Sequence, residues 1–493
     1  MAAIEFVDQT LRDGHQSLWG MRMKPEMTVP IAPEMERVGY RVIEVTGGTQ
    51  FSVQLRRVHR DPWEGLDLIA DSYPASALRA GKRWNAVGVF GQSPDVIVDL
   101  FNTTILKHGI SSIWLYDCLY NMDPWRRACQ AVYDAGGEVV PTIMYGIGPH
   151  LTDEFFASKV REMREWGIAS AIFFEDAPGI LTPERAATLM PALVEAAGDV
   201  PLEMHCHNTT GLAPLNYIEG VKAGVRILHT ASLPLANGPS LPSIEATSTS
   251  LQALGYELAI DTGPLAAIAD HFFRVAKQED LPIGEPVEYD ARIYQHQLPG
   301  GMTGTLKAQL AEHDLESAFP QVLEEIVRVR EELGNPISAT PFSQLIGIQA
   351  VVNVTTAERW TVVPDEVIMY ALGHLGPPLL PIQPDVLDRI LAAPRAKELQ
   401  SSPPEQISME EARERWGGLG VSDEEMLSRY LAPPEDLEKT LRAGPAPRTY
   451  TFTDDAFPAA VKAVLARRDV SLLRYQRDGF AVTLSRPPRS RSG

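Results

Sequence analysis

Two short runs carry the residue types of a reactive centre: Asp8-Gln9-Thr10-Leu11-Arg12-Asp13-Gly14-His15-Gln16-Ser17 and His205-Cys206-His207-Asn208. Each stands at the end of a predicted β-strand. Residues two apart in a strand point to the same face, so His205 and His207 project side by side. Asp13 follows the strand predicted over residues 4–9 and supplies a carboxylate. Two imidazoles and a carboxylate converging at one end of a sheet make a divalent-metal site with room for a substrate. The chain therefore reads as an enzyme, and a non-catalytic scaffold is the weakest alternative.

Positioning such a centre is the task of the elements around it. Strands are predicted over residues 4–9, 41–46, 83–88, 112–117, 138–145, 171–175, 202–207 and 227–231. The segments between them, such as 155–166 and 183–197, have helical periodicity and few breakers. Eight strand–helix units predict an α/β protein with a (β/α)8 TIM barrel over residues 1–290. Barrel active sites lie at the C-terminal ends of the strands. Asp13, Asp117, Tyr145, Glu175, His205 and His207 all fall there, whereas Asp95 and Asp153 read as N-caps of the helices that follow them.

Beyond the barrel the texture changes. Helices predicted at 318–333, 365–372, 384–391, 409–416 and 423–430, joined by Pro-rich turns, describe a mainly helical C-terminal domain over 291–442. Residues 443–493 read as a linker and a small α/β tail, with a helix near 457–467, strands near 472–475 and 480–484, and a basic, disordered end from Arg486.

Composition excludes several classes. Of the 493 residues, 44% are hydrophobic and 22% charged, which is ordinary for a soluble globular protein. A formal charge of −20 argues against nucleic acid or an anionic membrane as partner. Three cysteines give no disulfide framework and point to a reducing compartment. With neither a signal-peptide pattern nor a bilayer-length apolar run, the expected location is cytoplasmic.

Further runs match in order along the chain. They include Arg22-Met23, Val38-Gly39-Tyr40, Gly47-Gly48, Asp61-Pro62-Trp63-Glu64, Asn85-Ala86-Val87-Gly88 and Tyr116-Asp117. Later come Thr142-Ile143-Met144-Tyr145, Glu175-Asp176, Gln295-His296-Gln297-Leu298-Pro299-Gly300-Gly301-Met302 and Thr340-Pro341-Phe342-Ser343-Gln344. In these runs the chain resembles, over most of residues 4–435, the carboxyltransferase subunits of biotin-dependent enzymes. That family includes the carboxyltransferase domain of pyruvate carboxylase, the oxaloacetate decarboxylase alpha chain and the transcarboxylase metallosubunit; this chain reads as a divergent member.

The resemblance implies the chemistry. Asp13, His205 and His207 match the family's metal ligands, with zinc the first expectation and manganese or cobalt the alternatives. Arg12 and Gln16 match residues beside the substrate oxygen, and Thr340 matches a threonine that shuttles a proton. Thr340 also reads as the N-cap of a helix starting near Pro341. Lys82, Arg83 and Tyr145 are expected to bind substrate. The Gln297–Met302 run reads as a turn by its own chemistry.

Four positions depart from the family. Glu175 stands where the family has a lysine that carries CO2 and binds the metal. A glutamate needs no carboxylation, but its reach is shorter by roughly 3–4 Å, so either it ligates a shifted metal, a water fills the gap, or it is no ligand. Ser52, Lys82 and Val89 replace an aspartate, an arginine and a tyrosine where the family receives carboxybiotin or substrate. The resulting expectation is an enzyme that forms the enolate of a 2-oxo acid of the pyruvate or oxaloacetate type and transfers or removes a carboxyl group. Its partner would be biotin on a separate carrier protein, and the family's habit implies a homodimer. The alternative is a biotin-independent, metal-dependent lyase or aldol-type enzyme on the same scaffold.

Overall fold

The computed structural model describes residues 3–312, 314–418, 420–453, 472–477 and 480–485. Eight strands are hydrogen-bonded in chain order: β1 Glu5–Asp8, β2 Val42–Gly47, β3 Leu78–Arg83, β4 Ser112–Tyr116, β5 Glu138–Met144, β6 Ile172–Asp176, β7 Leu202–Cys206 and β8 Ile227–Thr230. All pairings are parallel, and β1 closes the barrel against β8, with Phe6 opposite Leu228 and Asp8 opposite Thr230. The TIM barrel expected from the sequence is therefore present.

Strand alternation divides the side chains. Phe6, Ile43, Ile113, Ile143, Phe174, Met204 and Leu228 are buried in the main core, which the barrel strands share with the surrounding helices. The interior holds two separate apolar clusters: Val7, Val42 and Ile227 toward the strand N-termini, and Trp114, Val140, Ala171 and Phe173. Beyond Val7, Val42 and Ile227 the next inward positions are polar: Gln9, Glu44 and His229. Trp114 fits because Gly81 faces it from β3; a Cβ at Gly81 would lie 1.9 Å from the indole ring.

One strand lies five residues earlier than predicted. The apolar Trp84-Asn85-Ala86-Val87-Gly88 run suggested 83–88, but β3 is Leu78–Arg83. Its charged look is misleading, because Arg79 is turned into the barrel and paired there with Glu203. The turn expected from Gln297–Met302 also differs: the helix Gly300–Glu312 starts inside it. Asp95 and Asp153 are first-turn residues rather than caps. Pro94 and Thr152 occupy the cap positions, and the Thr152 hydroxyl accepts from the Phe155 N–H.

The helical C-terminal segment packs over one rim of the barrel. Its helices include Phe319–Glu332, Phe342–Thr355, Asp365–Ala371, Pro384–Ala392, Met409–Trp416 and Asp423–Leu431. The Trp63 indole donates to the Glu424 carbonyl, Tyr430 Oη donates to Ser93 Oγ at 2.8 Å, and Tyr116 Oη donates to the Thr340 carbonyl at 3.1 Å. Thr340 does not cap the helix Phe342–Thr355, whose cap position is Pro341. Strands β9 Leu472–Arg477 and β10 Phe480–Ser485 pair antiparallel, as the expected hairpin would. The helix predicted near 457–467 and the end from Arg486 lie outside the described residues. Among the described residues no helix is long and apolar enough to cross a membrane.

Gly81→Ala is expected to destabilise the barrel by at least about 1–3 kcal/mol, the usual cost of overpacking a tight core. A urea titration checks this, and an unchanged midpoint would show that Trp114 can move aside.

Candidate metal centre at the barrel mouth

Beyond β1 the chain makes one wide turn, Thr10–Gly14, closed by the Gly14 N–H donating to the Gln9 carbonyl at 2.8 Å. Wide single turns of this kind recur at functional sites because the extra residue re-aims side chains. The turn is pinned by Thr10, whose hydroxyl donates to Asp8 at 2.6 Å and accepts from the Ser232 N–H at 2.8 Å. Gly14 is packed too closely against Leu235 for a side chain, with a Cβ meeting the Leu235 carbonyl oxygen at 3.0 Å. Arg12 and Asp13 are thereby folded back over the strand ends.

Asp13, His205 and His207 meet there. Each offers a ligand atom within 4.8 Å of the others, and all three are buried. Asp13 Oδ2 lies 3.3 Å from His207 Nε2 and 3.8 Å from His205 Nε2. His207 Nδ1 is 2.6 Å from the Pro239 carbonyl oxygen. A carbonyl only accepts, so Nδ1 carries a proton, which leaves Nε2, facing Asp13, as the nitrogen that could ligate a cation. His205 Nε2 is buried with no hydrogen-bond partner among the described residues. Burial, followed by the neighbouring His207, His229 and Arg12, pushes His205 well below the usual imidazole range, so the ring is neutral. Two imidazole nitrogens and a carboxylate, buried and converging, fit a divalent cation with open positions for substrate.

Arg12 stands beside this cluster. Its Nε contacts Glu44 Oε1 at 2.7 Å and Gln9 Oε1 at 3.1 Å, and Nη1 donates to Asp13 Oδ1 at 3.3 Å. The guanidinium lies over Trp114, 5.1 Å from the ring centroid, and the Trp114 indole N–H donates to Glu44. Arg12 Nη2 is buried and has no hydrogen-bond partner among the described residues.

The other expected residues divide. Glu175 is buried at the end of β6 but lies outside the three-residue ligand grouping, as its short reach implies. Burial pushes its carboxyl up to about 8, Arg12 opposing and Asp13 adding to the rise. Its Oε2 has no hydrogen-bond partner among the described residues. Arg83 points inward at the end of β3, and its Nη2 donates to the Phe90 and Gly91 carbonyls. Lys82, one residue earlier, faces the opposite way; its Nζ donates to the Arg83 and Trp84 carbonyls, and burial pushes its ammonium down to about 7.

Tyr145 also faces outward, its ring against Phe156 and Phe174. Gln16 is exposed, and on the short helix His15–Trp19 it is Ser17 whose hydroxyl reaches Asp13, at 3.5 Å. Asp117 is spent on its own turn, accepting the Leu119 and Asn121 N–H groups at 2.9 Å each. Lys82, Tyr145, Gln16 and Asp117 are thus not gathered with the ligand cluster.

Tyr116 was legible only as part of a motif, yet it joins the mouth to Thr340. Glu44, Gln9, Trp114 and Ser17 were not anticipated as parts of the site. The signal available for Glu44 and Gln9 was a polar residue at an inward strand position.

Comparison with known proteins agrees with this architecture. Residues 293–463 match the conserved carboxylase domain family, and residues 132–271 match the HMGL-like family. The chain is 34% identical over 459 residues to a pyruvate carboxylase subunit of Methanocaldococcus jannaschii, covering 90% of this chain and 79% of that one. It is 32% identical over 389 residues to the 2-oxoglutarate carboxylase large subunit of Hydrogenobacter thermophilus, covering 79% and 60%. The solved carboxyl transferase domain of Rhizobium etli pyruvate carboxylase, determined with oxamate and biotin, superposes with a TM-score of 0.81 at 25% identity. That superposition covers 90% of this chain and 78% of that one.

Two outcomes are expected of this site. His207→Ala should abolish stoichiometric zinc or manganese binding, measured by metal analysis after dialysis; full retention would remove His207 from the ligand set. Glu175 holds its proton in the folded state up to about 8, against 4.5 when unperturbed. Folded protein therefore binds the extra proton across that window, and stability falls as pH rises through it. Metal-free Glu175→Gln should be more stable than the parent by a margin that grows from about pH 5 to about pH 8. A constant margin would contradict the assignment.

Proposed function

The chain belongs to the carboxyltransferase family of biotin-dependent carboxylases, and on that premise we propose that its barrel mouth forms the enolate of a 2-oxo acid of the pyruvate or oxaloacetate class. The carbon next to the ketone then gains or loses a carboxyl group. The observation that carries this reading is the unpartnered, buried Arg12 Nη2 beside the Asp13–His205–His207 cluster. A fixed donor next to a cation site serves an oxygen on which negative charge develops.

Asp13, His205 and His207 would hold the metal. When bound, the cation supplies Lewis-acid polarisation of the substrate carbonyl, making the neighbouring carbon acidic. Arg12 donates from Nη2 to the substrate oxygen, and because Glu44 and Gln9 hold its Nε, it needs no reorganisation as charge builds. Thr340 carries the proton at the reacting carbon. Its backbone is tied to the mouth through Tyr116, and the residue itself is exposed. Arg83, inward-facing on β3, is the cation for the substrate carboxylate; Lys82 faces the wrong way for that task.

The positions that the resemblance assigns to biotin fit less well than those assigned to the metal. The Ser52 hydroxyl is 3.5 Å from the Leu431 carbonyl, and Val89 has no hydrogen-bonding side-chain group. A biotin carrier protein remains the proposed partner on family grounds.

Metal-replete protein is expected to decarboxylate oxaloacetate, with stimulation by free biotin. Arg12→Gln should lower kcat by about 100- to 1,000-fold, the usual effect of losing one oxyanion donor. Failure to decarboxylate oxaloacetate, together with failure to exchange the pyruvate methyl protons in D2O, would overturn the enolate reading. Turnover that ignores biotin would remove the carrier from it.

A further inference from the structure

The barrel interior contains a polar chain that the proposed chemistry does not use. Arg79 on β3 makes a two-point ion pair with Glu203 on β7, Nη1 to Oε2 at 2.5 Å and Nη2 to Oε1 at 3.0 Å. Arg79 Nε also donates to Ser112 Oγ at 3.1 Å. Glu203 Oε2 lies 3.0 Å from His229 Nε2, and His229 Nδ1 lies 3.2 Å from His205 Nδ1. Every member is buried. The chain ends at a residue of the ligand cluster.

The proton positions along it follow from one side chain. The Gln9 amide oxygen accepts from Arg12 Nε, and its nitrogen donates to Glu44 Oε2 at 2.7 Å. Rotating the amide would set its oxygen against a carboxylate and its N–H groups against a guanidinium, so the orientation is determined. The second N–H of Gln9 then points at His229 Nδ1, 2.9 Å away, and that nitrogen must be an acceptor. His229 consequently carries its proton on Nε2 and gives it to Glu203. Burial disfavours ionised Glu203, but Arg79 and the His229 N–H outweigh that and hold it below the ordinary carboxylate range. His229 Nδ1 has one lone pair, faced by both the Gln9 amide and His205 Nδ1; a His205 Nδ1–H shares it with the Gln9 N–H at the longer distance, whereas a bare His205 Nδ1 at 3.2 Å would repel it.

We propose that His229, held by Glu203 and Arg79 and faced by Gln9, is a positioning residue that keeps the His205 proton on Nδ1 and its Nε2 lone pair free for a divalent cation. A carbonyl does this directly for His207. For His205 the same result is transmitted from the middle of the barrel, through residues on β3, β7 and β8. The proposal rests on the reading of Asp13, His205 and His207 as a metal site, but its core concerns the metal-free protein.

Two measurements test it. In metal-free protein with 15N-labelled histidine, long-range 1H–15N spectra distinguish the two neutral tautomers. The His205 signal is assigned as the one lost in His205→Gln. It is expected to show the Nδ1–H pattern, and an Nε2–H pattern would overturn the relay without touching the ligand assignment. His229→Leu removes the acceptor and should weaken zinc binding by about 10- to 100-fold, the usual effect of losing such a supporting contact. His229→Asn offers an amide oxygen near the Nδ1 position and should restore affinity to within a few fold. Unchanged zinc affinity in folded His229→Leu would overturn the positioning role. A wild-type protein that shows the expected tautomer but binds no zinc would instead overturn the metal site and, with it, the purpose assigned to His229.

Discussion

An ion pair between Arg79 and Glu203 lies at the centre of the barrel, and the arrangement above it depends on that pair. A buried pair of this kind seldom adds much stability, because taking both charges out of water costs about as much as their attraction returns. Apolar side chains would fill the same space as well. What the pair supplies is direction. Glu203 fixes one edge of His229, Arg79 is tied across to Ser112, and the strands that carry them are thereby linked through side chains as well as through the backbone. The inward-facing positions above the apolar layer then form a hydrogen-bonded lattice rather than a greasy plug.

Charge balance gives this lattice a second property. Arg12 and Arg79 face the acids Asp13, Glu44 and Glu203, with Glu175 holding its proton nearby. The excess of acid beside His205 and His207 is compensated most simply by a cation. A cation there would also ease Glu175 toward its ionised form, so the pocket can adjust its charge as a ligand enters or leaves. Arg12 Nη2 and Glu175 Oε2 stand beside the same cluster, and both are buried polar atoms without a hydrogen-bond partner among the described residues.

Much of this was legible before any coordinates. The two-residue spacing of His205 and His207 at a strand end announced two members of the cluster, because it depends only on strand alternation; Asp13 was legible as a carboxylate following β1, but the wide turn Thr10–Gly14 that aims it was not. The barrel was legible from eight repeated strand–helix units. What failed was parity. Arg79, Lys82 and Arg83 look like surface residues, so the pattern places β3 in the apolar run that follows and hides which of its side chains face inward. Lys82 and Tyr145 sit next to inward-facing residues, and a shift of one position in a strand exchanges the two faces. Glu203 and His229 were hidden for a different reason. A charged residue inside an apolar strand gains meaning only when its partner on another strand is known, and Arg79 is 124 residues from Glu203 in the chain.

The bond from Tyr116 to the Thr340 carbonyl joins residues 224 positions apart, on opposite sides of the boundary between the strands and the later helices. During synthesis the ribosome releases all eight strands well before it makes Thr340. A nascent barrel can therefore close, and even acquire its cation, while the hydroxyl assigned to proton transfer does not yet exist. Thr340 reaches the mouth only late in translation, when the trailing helices settle on the rim and Tyr116 finds its carbonyl.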